Sequence, residues 1–141
     1  MSERPSFPFG KHIPFVEHLG FTLTEFADGR SCIEYLPQPQ HLNSLAMTHG
    51  GAVMTLLDVT MATASRSIDA DLAVITIEMK TSFMQPALPS ADGKPLACRG
   101  RLMHRTRSLA FAEATLYDAA GAACAHATGT FKYISRASGS A

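Results

Sequence analysis

The sequence predicts a two-layer α+β domain in which one long helix covers an antiparallel sheet. Three observations point there. Gly50 to Ser65 is apolar and free of proline, so it reads as one long helix. Four strand-like runs separated by turn signals follow it, and two shorter runs precede it. Hairpin-connected strands make an antiparallel sheet, and only this helix is long enough to cover the sheet's apolar face.

The elements follow in order. Met1 to Gly10 holds two prolines and reads as loosely packed, as does the tail from Ser135 to Ala141. Lys11 to Leu19 is a short helix, limited to a turn or two by Pro14. Phe21 to Phe26 and Arg30 to Leu36 are strands, with Asp28-Gly29 as the hairpin turn between them. Pro37 to Thr48, rich in proline, glutamine, histidine and asparagine, is a loop. After the helix come strands over Leu72 to Met84, Leu96 to His104, Leu109 to Tyr117 and Cys124 to Ile134. Ser90 to Gly93 and Asp118 to Gly121 are turns. No repeat or linker divides the chain, so residues 1–141 are expected to form a single domain.

Composition narrows the function. Twelve basic and twelve acidic residues cancel, which argues against a nucleic-acid partner or a membrane surface. The N-terminus has no apolar run of the kind a secretion signal or a membrane span needs. Cys32, Cys98 and Cys124 lie far apart and form neither a metal pair nor a disulfide framework, so reduced thiols in a cytoplasm are the simplest reading. Histidines 12, 18, 41, 49, 104 and 126 show no zinc-type spacing, so no metal or other cofactor is expected.

The helix carries the chemical signal. On a helical wheel Val53, Leu57, Met61 and Ala64 share one face, and Ala52, Leu56, Val59 and Ala62 spread over much of the rest. The helix should therefore be buried on most sides. Asp58 is the only charged residue from Gly50 through Ser65. A buried carboxylate is costly unless paired, and proteins seldom keep one without a use. Asp58 lies two turns inside the helix, too deep to cap it. Arg66 is about two turns further on and poorly placed for a salt bridge. The competing explanation is a narrow wet edge lined by Thr55, Thr63 and Arg66, among which Asp58 does not fall squarely.

The helix opens on Thr48-His49-Gly50-Gly51. A first helical turn offers unpaired N–H groups at the positive end of the dipole, and glycine lets a ligand approach them. Such an amide can hold an oxygen that gains negative charge. A Gly-Gly pair is also often no more than a tight loop. Eight positions separate Gly50 from Asp58, about 12 Å along the axis. A carboxylate attacking a carbonyl must come within about 3.5 Å of its carbon, while the polarising N–H lies about 3 Å from its oxygen. One copy of the helix cannot do both to one substrate. Two antiparallel copies about a two-fold axis can, so joint use of the two residues requires at least a dimer with composite sites.

Asn43, His49-Gly50-Gly51 and Asp58, with the strand from Val74 to Pro86 and Gly129-Thr130-Phe131, resemble the signature of hotdog-fold thioesterases of the PaaI-like, phenylacetic-acid type. The resemblance implies a curved antiparallel sheet wrapped around one central helix. It implies dimers or tetramers that hydrolyse acyl-CoA thioesters to free acid and CoA, with CoA as part of the substrate. Carried onto this chain, the Gly50 amide would polarise the thioester carbonyl and Asp58 would act as nucleophile or general base. Asn43 would fix the thioester or Asp58, His49 would sit near the departing sulfur, and Thr76 would orient the attacking water. Thr76 reads as lying on the polar side of its strand with Glu78, Lys80 and Ser82, and could equally be an ordinary strand threonine.

Met54, Met61 and Phe83 are candidates for the acyl pocket, and His104 to Arg107 at a hairpin tip for the CoA phosphates or for a solvated turn. Alternatives are a hotdog acyl-CoA hydratase or dehydratase, which usually pairs a histidine with an acid, and a non-catalytic acyl-CoA-binding module.

Overall fold

The computed structural model describes residues 6–135. Its elements are α1 (Pro14–Leu19), β1 (Thr22–Ala27), β2 (Arg30–Tyr35), a 3-10 turn at Pro39–His41, α2 (Gly50–Arg66), β3 (Leu72–Phe83), β4 (Leu96–Arg105), β5 (Leu109–Tyr117) and β6 (Ala123–Ser135). The strands form one sheet in the order β1-β2-β4-β5-β6-β3, and every neighbouring pair is antiparallel. The helix α2 touches all six strands. Six strands at about 4.8 Å spacing are far wider than a helix about 10 Å across, so the sheet must curve around α2. This is the hotdog architecture.

Local sequence explains the elements. Asp28 and Gly29 both have positive φ, 53° and 80°, the two-residue turn that matches the twist of β1 and β2. Along β5, Ala110, Ala112, Ala114 and Leu116 are buried while their neighbours are half-buried, the period of two expected of a strand with one covered face. The core joins these residues to Val53, Leu56, Leu57 and Met61 of α2 and to Ile33, Leu96, Phe131 and Tyr133 of the sheet.

Threonine and serine are weak helix formers, yet α2 buries Thr60, Thr63 and Ser65. Each hydroxyl bonds back to the carbonyl four residues earlier: Thr60 to Leu56 at 2.6 Å, Thr63 to Val59 at 2.6 Å and Ser65 to Met61 at 2.9 Å. That satisfies the polar atoms inside the core. The competing explanation, a wet edge through Thr55, Thr63 and Arg66, thus fails at Thr63 and Arg66. Both are buried, and Arg66 donates to the carbonyls of Leu72 and Phe9. The exposed edge of α2 runs instead through Gly51 and Met54, with Thr55 and Asp58 half-buried beside them. The helix is thus less enclosed within one chain than its composition suggests.

The sheet packs tightly against α2 at Gly100. A methyl group there would lie 2.7 Å from Ser31 Oγ and 2.8 Å from the carbonyl oxygen of Thr60. Ser31 Oγ itself donates to that carbonyl at 2.6 Å. Gly100→Ala must push the helix off the sheet or break this bond. It is expected to cost about 2–3 kcal/mol, read as a drop of several degrees in the thermal midpoint. An unchanged midpoint would show that the helix can shift freely.

Near the N-terminus, Phe7 donates its N–H to Leu23 O at 2.8 Å, which ties this segment to β1. The remainder of the loose segments expected at either end, residues 1–5 and 136–141, lies outside the described residues.

Candidate functional site

Asn43 sits in the loop before α2. Its Oδ1 accepts the N–H groups of Leu45 and Met47, at 2.9 and 3.1 Å. With the oxygen occupied, the side chain has only its NH2 donors left to offer. The loop rests on buried His41, whose Nδ1 meets Tyr35 Oη at 2.8 Å and accepts the Gln38 N–H at 3.1 Å. The His41 carbonyl in turn receives the N–H of His49 at 2.9 Å.

His49 caps α2. Its Nδ1 accepts the N–H of Gly51 at 2.8 Å, and its carbonyl accepts from Ala52 and Val53 at 2.9 and 3.1 Å. A neutral ring so placed carries its proton on Nε2, pointing a donor away from the helix. Three of the four first-turn amides are therefore satisfied. The fourth, Gly50 N–H, has no acceptor among the described residues. It opens on a cavity of about 350 Å³ lined by Asn43, Met47, Thr48, Val53, Phe83, Met84 and Gln85. The Phe83 ring lies 3.6 Å from where a Gly50 side chain would begin.

Asp58 opens elsewhere, on a cleft of about 490 Å³ between α1, α2 and β3, lined by Ile13, Phe15, Met54, Val59, Thr76 and Met79. Its Oδ1 accepts the hydroxyl proton of Thr76 at 2.6 Å. Among the described residues no cation pairs with it. Burial raises the carboxyl above its ordinary value, and the Thr76 hydrogen bond opposes this in part. Burial in a mostly apolar cleft, with the Thr76 hydroxyl as its hydrogen-bond donor, thus makes the carboxylate more basic than an exposed one.

Thr76 reaches Asp58 because β3 carries a bulge. Thr76 pairs with Phe131 and Glu78 with Thr130, so the register slips by one residue at Ile77. Phe131 is buried on the helix side, and Thr76 faces α2 with it. The expectation that Thr76 shares a face with Glu78, Lys80 and Ser82 is therefore corrected: the slip places those three on the opposite face. Met61 is corrected as well. It is fully buried in the core and lines neither opening, whereas Met54 lines the cleft at Asp58 and Phe83 the cavity at Gly50.

The five candidate residues thus fall into two groups on one chain. Asn43, His49 and Gly50 gather at the helix N-terminus, and Asp58 and Thr76 lie two turns further along. Phe15 and Met79, which the sequence did not single out, complete the wall around Asp58. Among the described residues no group of three His, Cys, Asp or Glu side chains is placed to hold a metal ion. No described helix is long and apolar enough to cross a membrane.

A family model described as the thioesterase superfamily matches residues 45–125, more than half of the chain. A conserved protein of Pseudomonas aeruginosa superposes with a TM-score of 0.81 at 24% identity, over 89% of this chain and 97% of that one. The PaaI protein from the phenylacetic acid degradation operon of E. coli superposes at 0.77 with 20% identity, over 85% and 83% of the two chains. A Streptococcus mutans protein solved bound to acetyl-CoA superposes at 0.73 with 22% identity, over 82% and 90%.

Proposed function

The chain belongs to the thioesterase superfamily, and from that premise we propose that it hydrolyses acyl-CoA thioesters at sites shared between two subunits. The observation that carries the proposal is Asp58, a carboxylate without a cation partner among the described residues, set in an apolar cleft and braced by Thr76 at 2.6 Å. The Gly50 amide, without an acceptor among the described residues, supplies the complementary function, and its distance along the helix supports its use with the other subunit's Asp58. The acetyl-CoA held by the Streptococcus mutans neighbour supports a CoA thioester as the ligand.

The reaction needs no more than these groups. A water held by Asp58 and the Thr76 oxygen gives its proton to Asp58 as its oxygen bonds to the thioester carbon. The carbonyl π electrons move onto the oxygen, which the Gly50 N–H and the Asn43 amide stabilise. The tetrahedral carbon then expels sulfur. The C–S electron pair leaves with CoA, the proton on Asp58 goes to the departing thiolate, and the carboxylic acid remains. Direct attack by Asp58 would use the same ionised oxygen, with water cleaving the resulting anhydride. His49 Nε2–H is a donor suited to the leaving sulfur.

The edge strand β3 offers a place for the second copy. It is twelve residues long, pairs among the described strands with β6 alone, and exposes Ile75 and Ile77, at 50% and 55%. A long apolar edge is covered in most stable proteins, and a two-fold copy of β3 would cover it while bringing two α2 helices together. Thiol release from short, medium-chain and aryl acyl-CoAs, with the mass of the assembly measured in parallel, tests the reading. Turnover by a dimer or tetramer is expected. A monomeric protein, or no release from any substrate, rejects it, and water addition to crotonyl-CoA in its place would identify a hydratase.

A further inference from the structure

The two openings differ in the hydrogen bonding they have left. Around Asp58, the Thr55 hydroxyl is already spent on the Gly51 carbonyl at 2.8 Å and the Thr76 hydroxyl on Asp58 at 2.6 Å. The rest of that wall is Ile13, Phe15, Val16, Met54, Val59 and Met79. An amide entering there would lose water and find little to replace it, whereas a hydrocarbon loses nothing. Beside Gly50 the situation is reversed: Gln85 Nε2 is bonded to the Ala123 carbonyl at 3.1 Å, but among the described residues the Gly50 N–H and both Asn43 amide donors are left to offer in that cavity. The arm of CoA next to sulfur is a chain of amides and fits that side. The acyl chain fits the other.

Phe15 marks the apolar side. It is 57% exposed on α1, a helix fixed to the core by buried Val16 and Leu19, and it stands in the cleft wall with Met54, itself 38% exposed. We infer that the cleft between α1 and α2 receives an extended apolar acyl chain and that Phe15 sets the preference for its length. The inference rests on the thioesterase reading, which supplies the thioester carbon beside Asp58.

The test is kcat/KM for straight-chain acyl-CoAs of increasing length, measured for the native protein, Phe15→Ala and Phe15→Leu, with assembly mass followed by light scattering. Phe15 is exposed, so the substitutions leave the core intact. In the native protein each methylene that enters the cleft is expected to raise kcat/KM about fourfold. Phe15→Ala flattens that slope and Phe15→Leu keeps most of it, with the assembly unchanged. An unaltered slope in Phe15→Ala overturns the inference. So does loss of the assembly, which would make Phe15 a subunit contact. A slope flattened by Met84→Ala, in the cavity beside Gly50, would reverse the assignment of the two arms. Turnover independent of chain length sinks the inference while sparing the thioesterase reading, whereas no thiol release from any acyl-CoA sinks both.

Discussion

Asp58→Asn is expected to lower kcat by about 10² to 10⁴-fold, the range that general-base groups supply. The amide is nearly isosteric, and its oxygen can still accept from Thr76, so the variant removes the negative charge and little else. The pH profile of the native protein carries the same information. Burial raises the Asp58 carboxyl above its ordinary value, and only the ionised form can take a proton from water. The rate should therefore climb with pH through a midpoint above the usual carboxylate range, then level off. Stability should run the opposite way. A carboxyl whose folded pKa is raised contributes stability that is present below its unfolded value and lost as pH rises through the folded one. At neutral pH the charged Asp58 is thus a burden on the fold, and Asp58→Asn should melt higher than the native protein while turning over less. Equal rates in the two proteins would remove Asp58 from the mechanism. A lower melting point at neutral pH would mean that the charge is stabilised by a partner, contrary to its apolar surroundings.

Much of the candidate site was legible in the sequence because it rests on short-range rules. A glycine amide at a helix start and a single charge inside an apolar helix can both be read along one segment, and their separation follows from helical rise alone. The alternation of β5 is equally local. What could not be read depends on the partner strand or on three-dimensional neighbours. The slip at Ile77 turns Thr76 toward Asp58, yet an apolar-polar pattern through Ile75, Thr76 and Ile77 gives no sign of it, because a bulge is defined by what lies opposite. Met54 and Met61 are seven residues apart on the same helix, and only packing separates an exposed cleft wall from a buried core. The place of β3 at the sheet edge is set by its pairing with β6, some fifty residues away. Asn43 was identifiable as a candidate, but not that backbone amides consume its oxygen and leave a donor.

Gly50→Pro is expected to lower kcat by about 10² to 10³-fold, the effect of losing one oxyanion donor. Proline fits this position unusually well. Gly50 is the first residue of α2, where proline's fixed φ suits the helix and its missing N–H breaks no helical bond. His49, at φ −59° and ψ 136°, already has the conformation favoured before proline. A side chain at Gly50 would meet Phe83 at 3.6 Å, an ordinary contact. The substitution thus deletes a single hydrogen-bond donor from an otherwise intact protein. Combined with Asp58→Asn it also tests which chain each group serves. If Gly50 of one subunit works with Asp58 of the other, each variant alone is inactive at every site. Co-expression of the two in equal amounts makes about half of the dimers mixed, and each mixed dimer pairs an intact Gly50 with an intact Asp58 at one of its two sites. About a quarter of native turnover should return. If both groups act within one chain, no mixed dimer contains a complete site and the mixture stays at the level of its parents. Twelve ångströms along one helix cannot be bridged by a single carbonyl, so recovery is the result that the geometry of α2 demands.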